Sequence, residues 1–273
     1  MNPAVCDLLS SAAVFYRLLK HKKYRDYWMM KLRYGGEERF REMTIHLGGT
    51  EFLIPDIASF LSTYEELIYR SVYTFESKCD APVILDFGAN IGLSIYFWMK
   101  NYPKAKVYGY EADPFIFKYL ERNVQGITNG NVKLFNVALS DAEGVLHFSS
   151  NHADGGRVSE VGAPVQAVDA ATELRKIDIE GSERMVLPRI IPYLERVENI
   201  FVEYHSEADK SQFLPELLKL LQDAGFRIFV RSGFCAGRPL VETATNTGFD
   251  LFLGDVYYLN EVFYRMLTRA KLS

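Results

Sequence analysis

Short apolar runs that end in an acid recur through the middle of the chain and alternate with stretches of helical periodicity. The sharpest is Val83-Ile84-Leu85-Asp86, a run expected of a strand covered on both faces. Gly88 and Gly92 then bracket a tight loop, and from Ile91 through Met99 the pattern turns helical, with apolar residues on every side. Lys106 to Glu111 reads as a second strand ending in an acid, and Asp113-Pro114 opens the helix after it. Val132 to Ala138 gives a third strand, Arg175 to Gly181 a fourth and Asn199 to His205 a fifth. Phe226 to Arg231 and Phe249 to Leu253 add two more, antiparallel at the edge or paired as a hairpin-like return. Further helices are expected after Ser182, shortened or kinked by Pro188 and Pro192, over 210–224 with Gly225 as its close, and over 259–271.

Two segments lie beside this alternation. Gly144 to Ser149 reads as an extra strand, and 151–162 as an aperiodic, mobile loop of the kind that forms lids or specificity segments. Residues 1–78 read as an N-terminal extension to a domain over 79–273. In it, residues 4–33 form two helices broken near His21, and Glu42 to Pro55 forms a hairpin around Gly48-Gly49. A helical region over 57–78 follows, with Tyr64, Leu67, Ile68 and Val72 on its buried side. The stretch from Arg17 to Arg41 is basic and mixed with aromatics, so residues 11–33 read either as a packed helical cover or as a contact to an anionic membrane surface or a protein partner.

Composition narrows the class. With 273 residues, 48% hydrophobic and 24% charged, the chain suits a globular domain with a full core. A net charge of −4 gives no electrostatic case for nucleic acid. Cys6, Cys79 and Cys235 are widely spaced and have no His cluster, which suggests a reducing compartment and neither a disulfide framework nor a zinc site. No apolar run approaches the roughly 18 residues of a spanning helix, and no signal-peptide pattern opens the sequence, so a cytoplasmic protein is expected.

The candidate chemistry sits at the strand ends. Free N–H groups in the first turn after the glycine loop make an anion site, while Asp86 faces the same crevice and suits a cation. A ligand carrying both a carboxylate and an ammonium fits, as the aminoacyl end of S-adenosylmethionine does. A dinucleotide fingerprint fails at Asn90 and Leu93, which argues against a nicotinamide enzyme, and a phosphate loop lacks its Gly-Lys-Ser/Thr. Glu111 lies 19 residues beyond Gly92, near the spacing of about 20 at which an acid meets ribose hydroxyls. Ser140 or Asp141 can bond the adenine amino group, unless Asp141 only starts the turn to Gly144. Asp178 and Glu180 share one strand face, as do Glu203 and His205, and paired carboxylates need a proton, a cation or donors to offset their repulsion. Glu65 or Glu66 either reaches the crevice or lies on a solvated helix face.

With these residues in place the sequence resembles class I S-adenosylmethionine-dependent methyltransferases, and among them the FkbM type. The resemblance rests on Asp86-Phe-Gly-Ala-Asn-Ile-Gly92, Tyr110-Glu-Ala-Asp-Pro114, Asn136-Val-Ala-Leu-Ser-Asp141, Lys176-Ile-Asp-Ile-Glu-Gly-Ser-Glu183 and Phe201-Val-Glu-Tyr-His205. It implies a Rossmann-like, seven-stranded, mostly parallel sheet with helices on both faces and the last strand antiparallel. It also implies O-methylation of a hydroxyl on a small molecule or glycan. Gly88, Asn90 and Gly92 would hold the methionine part, Glu111 the ribose and Ser140 or Asp141 the adenine, with Asp86, Ala89, Ala112, Ala138 and Asp178 among the cofactor-binding positions. His205 is the expected base, with Asp178 or Glu180 orienting it or binding the acceptor hydroxyl; no metal is expected, and Mg²⁺ on Asp178, Glu180 and Glu203 is the weaker option. The segment Asp169 to Lys176 is shorter than the linker and helix usual before the Asp-x-Glu-Gly strand, which leaves a non-catalytic cofactor-binding scaffold as the alternative.

Overall fold

The computed structural model describes Tyr16 and residues 18–150, 152–153, 156–158, 160–176, 191–204, 213–232 and 254–257. Helix α1 (Lys22–Tyr34) follows the expected break at His21 and buries Tyr24 and Tyr27. Strands β1 (Met43–Leu47) and β2 (Thr50–Ile54) pair antiparallel around Gly48 and Gly49, with Ile45, Leu47, Phe52 and Ile54 facing inward. Helix α2 (Ile57–Tyr64) starts on Asp56, whose carboxylate accepts from Ser59 N at 3.1 Å. It widens into a π turn over Glu65–Tyr69, where Arg70 N donates to Glu65 O at 2.8 Å, and Ser71 at φ 54 breaks off the helix. The helix expected over 57–78 is therefore shorter. No Gly or Pro marks this end; the Glu65 carboxylate gathers Tyr27, Lys31 and Arg70 around the widened turn.

The nucleus of the domain is β3 (Val83–Phe87), α3 (Leu93–Asn101), β4 (Lys106–Tyr110), α4 (Pro114–Gln125) and β5 (Val132–Phe135), with the strands parallel in the order β3-β4-β5. Gly109 lets α3 approach the sheet: a Cβ there would lie 3.0 Å from Ile95 Cδ1 and 3.0 Å from Leu134 Cδ2. The strand expected to run from Val132 to Ala138 breaks instead at Asn136. Its side-chain amide donates to Glu111 O at 2.8 Å, turning the chain so that β6 (Ala138–Ser140) joins another sheet.

That sheet contains β6, β7 (Gly144–Ser149), β8 (Arg157–Val158) and β9 (Ala163–Asp169) in the order β6-β9-β7-β8. The extra strand is thus as expected, whereas part of the 151–162 loop pairs as β8 with Phe148 and Ser149. Asp169 then caps α5 (Ala170–Lys176), accepting from Ala171 N at 3.0 Å. Arg175 and Lys176 belong to this helix rather than to the start of a strand. Residues 177–190, the rest of the fourth strand and the helix after it, lie outside the described residues.

After a 3₁₀ turn (Ile191–Arg196), β10 (Phe201–Tyr204), α6 (Leu214–Asp223), β11 (Phe229–Ser232) and β12 (Gly254–Tyr257) complete the described chain. β12 is antiparallel to both neighbours, as expected of a last strand, yet it lies between β10 and β11 rather than at an edge. The expected strand over 249–253 and helix over 259–271 fall outside the described residues. Among those residues the structure shows, besides the β1–β2 hairpin, two three-stranded sheets and the mixed four-stranded sheet, not one seven-stranded sheet.

One core joins the two triplets: Leu85 and Tyr110 pack with Val202, Leu217, Leu221 and Phe226. A second joins the N-terminal elements to α3 and α4 through Tyr27, Ile45, Phe52, Phe60, Leu93, Tyr96 and Ile116. Asn123 of α4 ties that seam. Its buried amide accepts from Leu53 N at 2.8 Å and donates to Leu53 O and to Ile91 O, each at 2.9 Å. Asn123→Ala leaves these three backbone groups without their partner, and urea unfolding is expected to show a loss of about 2–4 kcal/mol; an unchanged midpoint contradicts the tie.

Candidate functional site

The loop after β3 contains three left-handed residues, Gly88 at φ 97, Asn90 at φ 46 and Gly92 at φ 89. Gly88 N and Ala89 N both donate to Tyr110 O at 2.9 Å, and Asn90 N donates to Glu111 Oε2 at 2.9 Å. The loop amides are thus bonded to the end of β4. Leu93, Ser94 and Ile95 at the start of α3 have no intrahelical acceptor for their N–H groups. Helix α3 starts later than Ile91 because Gly92 is in the left-handed region.

Glu111 is 8% exposed, and each carboxylate oxygen takes one backbone N–H: Asn90 on Oε2, and Asp113 on Oε1 at 2.8 Å. Burial raises its pKa to about 7, the Asp113 and Asn90 amides pull it back, and the charges of Asp113 and Asp86 push it up again. Asp86, reached by the Ser94 hydroxyl, is raised by burial to about 6. Asp113 caps α4 through Oδ1, which accepts from Phe115 N at 2.8 Å, while Oδ2 is buried and without a partner. An unfolded chain releases the Asp86 and Glu111 protons at lower pH than the folded one. Both groups therefore subtract stability as pH rises through about 4 to 7. Three acids with no cation paired to them among the described residues make a place suited to a positively charged ligand.

The structure brings together the expected Asp86, Gly88, Ala89, Asn90, Gly92, Glu111 and Ala112. Gly88 is exposed at the loop, whereas Ala89 is buried beneath it. Ala138 and Ser140 are buried on β6, and the Ser140 hydroxyl donates to Asp141 Oδ1 at 3.2 Å. Asp178, Glu180 and His205 lie outside the described residues; β10 ends at Tyr204, one position before His205. Glu65 is held by the N-terminal helix. Among the described residues no group of three His, Cys, Asp or Glu side chains is placed to hold a metal ion. Sequence reasoning missed Ser94, Asn136 and the orphaned oxygen of Asp113; Asp-Pro announced a helix start, but only packing reveals which oxygen lacks a donor.

A cavity of about 450 Å³ is lined by Phe40, Glu42, Pro55, Phe115, Tyr119 and His152. Tyr119 OH donates to Glu42 at 2.8 Å, and His152 meets the Phe115 ring edge-on at 4.4 Å. Phe115 is two residues past Asp113, so this cavity adjoins the α4 end of the acid cluster.

Parallel strands with crossover helices, a glycine bend and an acid at the next strand end define a Rossmann-like nucleotide-binding protein. The match to known families is more specific: residues 86–228 match the methyltransferase FkbM domain. The chain belongs to this family and is an S-adenosylmethionine-dependent methyltransferase, which rules out the nicotinamide reading. Methyltransferase sdnD of Sordaria araneosa is 26% identical over 60% of this chain and 81% of that protein. The 2-O-methyltransferase NoeI of Sinorhizobium fredii (strain NBRC 101917 / NGR234) is 32% identical over 32% of this chain, which spans only 35% of NoeI's length. Among solved structures, methyltransferase FkbM from Methylobacillus flagellatus KT is similar with a TM-score of 0.45 and 16% identity, covering 71% of this chain and 48% of that one. M. jannaschii TYW2 in complex with AdoMet gives a TM-score of 0.43 and 16% identity over 81% and 85% of the two chains.

The two loop glycines predict different failures. A Cβ on Gly92 would lie 2.9 Å from Val124 Cγ2 and 3.0 Å from Leu120 Cδ1, while one on Gly88 meets nothing within 4 Å. Gly92→Ala is expected to lose about 2–4 kcal/mol in thermal unfolding, from strain and overpacking together. Gly88→Ala should lose only about 1–2 kcal/mol from strain, yet lower cofactor affinity more than tenfold by titration calorimetry. Equal effects of the two on stability and on binding contradict this division.

Proposed function

We propose that this methyltransferase acts on a hydroxyl oxygen of a small molecule or glycan, and that the β3–β4 cleft holds the methyl donor. The observation carrying this reading is the Glu111 carboxylate bonded to the Asn90 amide beside an open Gly88. This places an acid with spare lone pairs against the glycine bend. The residues fit the donor's charge pattern. The Gly88 and Asn90 carbonyls and the Asp86 carboxylate take the ammonium, the first-turn amides of α3 its carboxylate, and Glu111 the ribose hydroxyls. Ala89, Gly92 and Ala112 shape the walls of this cleft, with Ala138, Ser140 and Asp141 at the adenine end.

When bound, S-adenosylmethionine supplies a methyl group on a sulfonium, an electrophile that needs only a nucleophile in line. The chain's own work is positioning, which can lower the barrier by about 7–11 kcal/mol. It must also remove the hydroxyl proton as the bond forms. His205, one residue past β10, is assigned as that base, with Asp178 or Glu180 orienting it or holding the acceptor. The domain over 79–273 is read as a seven-stranded sheet, with residues 1–78 as its N-terminal extension. The acceptor hydroxyl is the part supported by NoeI, which is a 2-O-methyltransferase. The exposed thiol of Cys79 fits a reducing, cytoplasmic setting.

Labelled donor incubated with fractionated extract should transfer label to a hydroxyl-bearing compound, and His205→Ala should lower the rate by about 10²–10⁴-fold. Unchanged turnover removes the base assignment, and label on nitrogen or carbon removes the O-methyl reading. Donor affinity should rise as pH increases from about 5 to 7.5, because the raised Asp86 and Glu111 carboxyls must ionise to receive the ammonium and hydroxyl donors. Glu111→Gln should flatten the upper part of that curve.

A further inference from the structure

The basic N-terminal segment is not used by the methyl-transfer cleft. Nine of the 31 Lys and Arg residues fall between Arg17 and Arg41, against three of the 35 acids, so this segment carries +6 while the rest of the chain carries −10. Helix α1 turns one side inward through Tyr24 and Tyr27, and Tyr27 stacks on Tyr69 with ring centroids 4.4 Å apart. Helical spacing then puts Lys22, Arg25, Met29, Leu32 and Arg33 on the opposite side. There Met29 is 61% exposed and Leu32 51%, and Leu19, just before the helix, is 63% exposed.

Lys22 shares this side with Asp26, to which it is paired at 3.3 Å, while Arg25 and Arg33 add positive charge beside the large apolar side chains left in water; such a face needs a partner that satisfies both. We propose that the outward face of α1 docks on an anionic lipid bilayer, lying in the interface with Met29 and Leu32 inserted and Lys22, Arg25 and Arg33 among the headgroups. Each basic residue near such a surface contributes substantially to binding, and inserted apolar chains add to it. A nucleic-acid backbone offers phosphates but nothing for Leu19, Met29 and Leu32, whereas a bilayer offers both headgroup charge and an apolar interior. The inward attachment of α1, through Lys31 on Glu65 at 3.2 Å and the Tyr27–Tyr69 stack, holds the helix as a fixed plate on the domain. Among the described residues no helix is long and apolar enough to cross a membrane, so the contact is peripheral.

The test is sedimentation of the full chain with phosphatidylcholine vesicles containing phosphatidylserine, against pure phosphatidylcholine vesicles. Binding is expected only to the anionic vesicles and is lost in high salt. The triple variant Lys22→Gln/Arg25→Gln/Arg33→Gln should weaken it about a hundredfold. Met29→Ser/Leu32→Ser should weaken it about tenfold with the charges intact. These side chains lie outside the cleft, so donor affinity measured in the same preparations stays at the wild-type value and certifies folding. Equal sedimentation with neutral vesicles, binding insensitive to both variants, or no binding to anionic vesicles overturns the proposal, and retention on immobilised RNA or an acidic protein would then name the other partner.

Discussion

A single carboxylate holds the centre of this molecule in register. Glu111 leaves the end of β4 and accepts the Asn90 amide on one oxygen and the Asp113 amide on the other. The first bond fixes the glycine loop and the second fixes the entry to α4, so two crossovers are anchored to one side chain. The Tyr110 carbonyl reinforces this by accepting from Gly88 and Ala89. With the amides of residues 88–90 directed at the strand end, the N–H groups of Leu93, Ser94 and Ile95 at the helix start are the ones left without an intrahelical acceptor.

Electrostatic cost accompanies this arrangement. Burial raises Asp86 to about 6 and Glu111 to about 7, and the charges of Asp113 and Asp86 add to the rise of Glu111. A buried oxygen without a donor on Asp113 adds to the cost. A protein selected for stability alone would not keep three such groups together, since replacing them with apolar residues would relieve the repulsion. Such buried acids are the kind of group that a functional site keeps at a cost in stability.

Much of this was legible in the residues. The run into Asp86, the glycine spacing and Glu111 one strand on all stand where the pattern put them, because local backbone chemistry decides them. The hairpin at Gly48-Gly49 and the helix start at Asp113-Pro114 were readable for the same reason. The end of α2 was not, since Glu65 reaches Tyr27 and Lys31, residues distant in sequence. Nor was the break at Asn136, where the deciding bonds go to the carbonyls of residues 111 and 112. The position of β12 between β10 and β11 depends on sheet assembly, which no local pattern encodes. Asn123 shows the same limit from within a helix: a polar residue in an apolar stripe, explained only once the edge of β2 is found against it.

Titration of S-adenosylmethionine into the wild-type chain and into Glu111→Ala at neutral pH, with circular dichroism on both, tests the account most directly. The account predicts saturable binding to the wild type and, in a variant that keeps its secondary structure, a loss of at least about tenfold in affinity. A folded variant that binds the donor as tightly as the wild type contradicts it, and so does a wild-type chain that binds no donor at all.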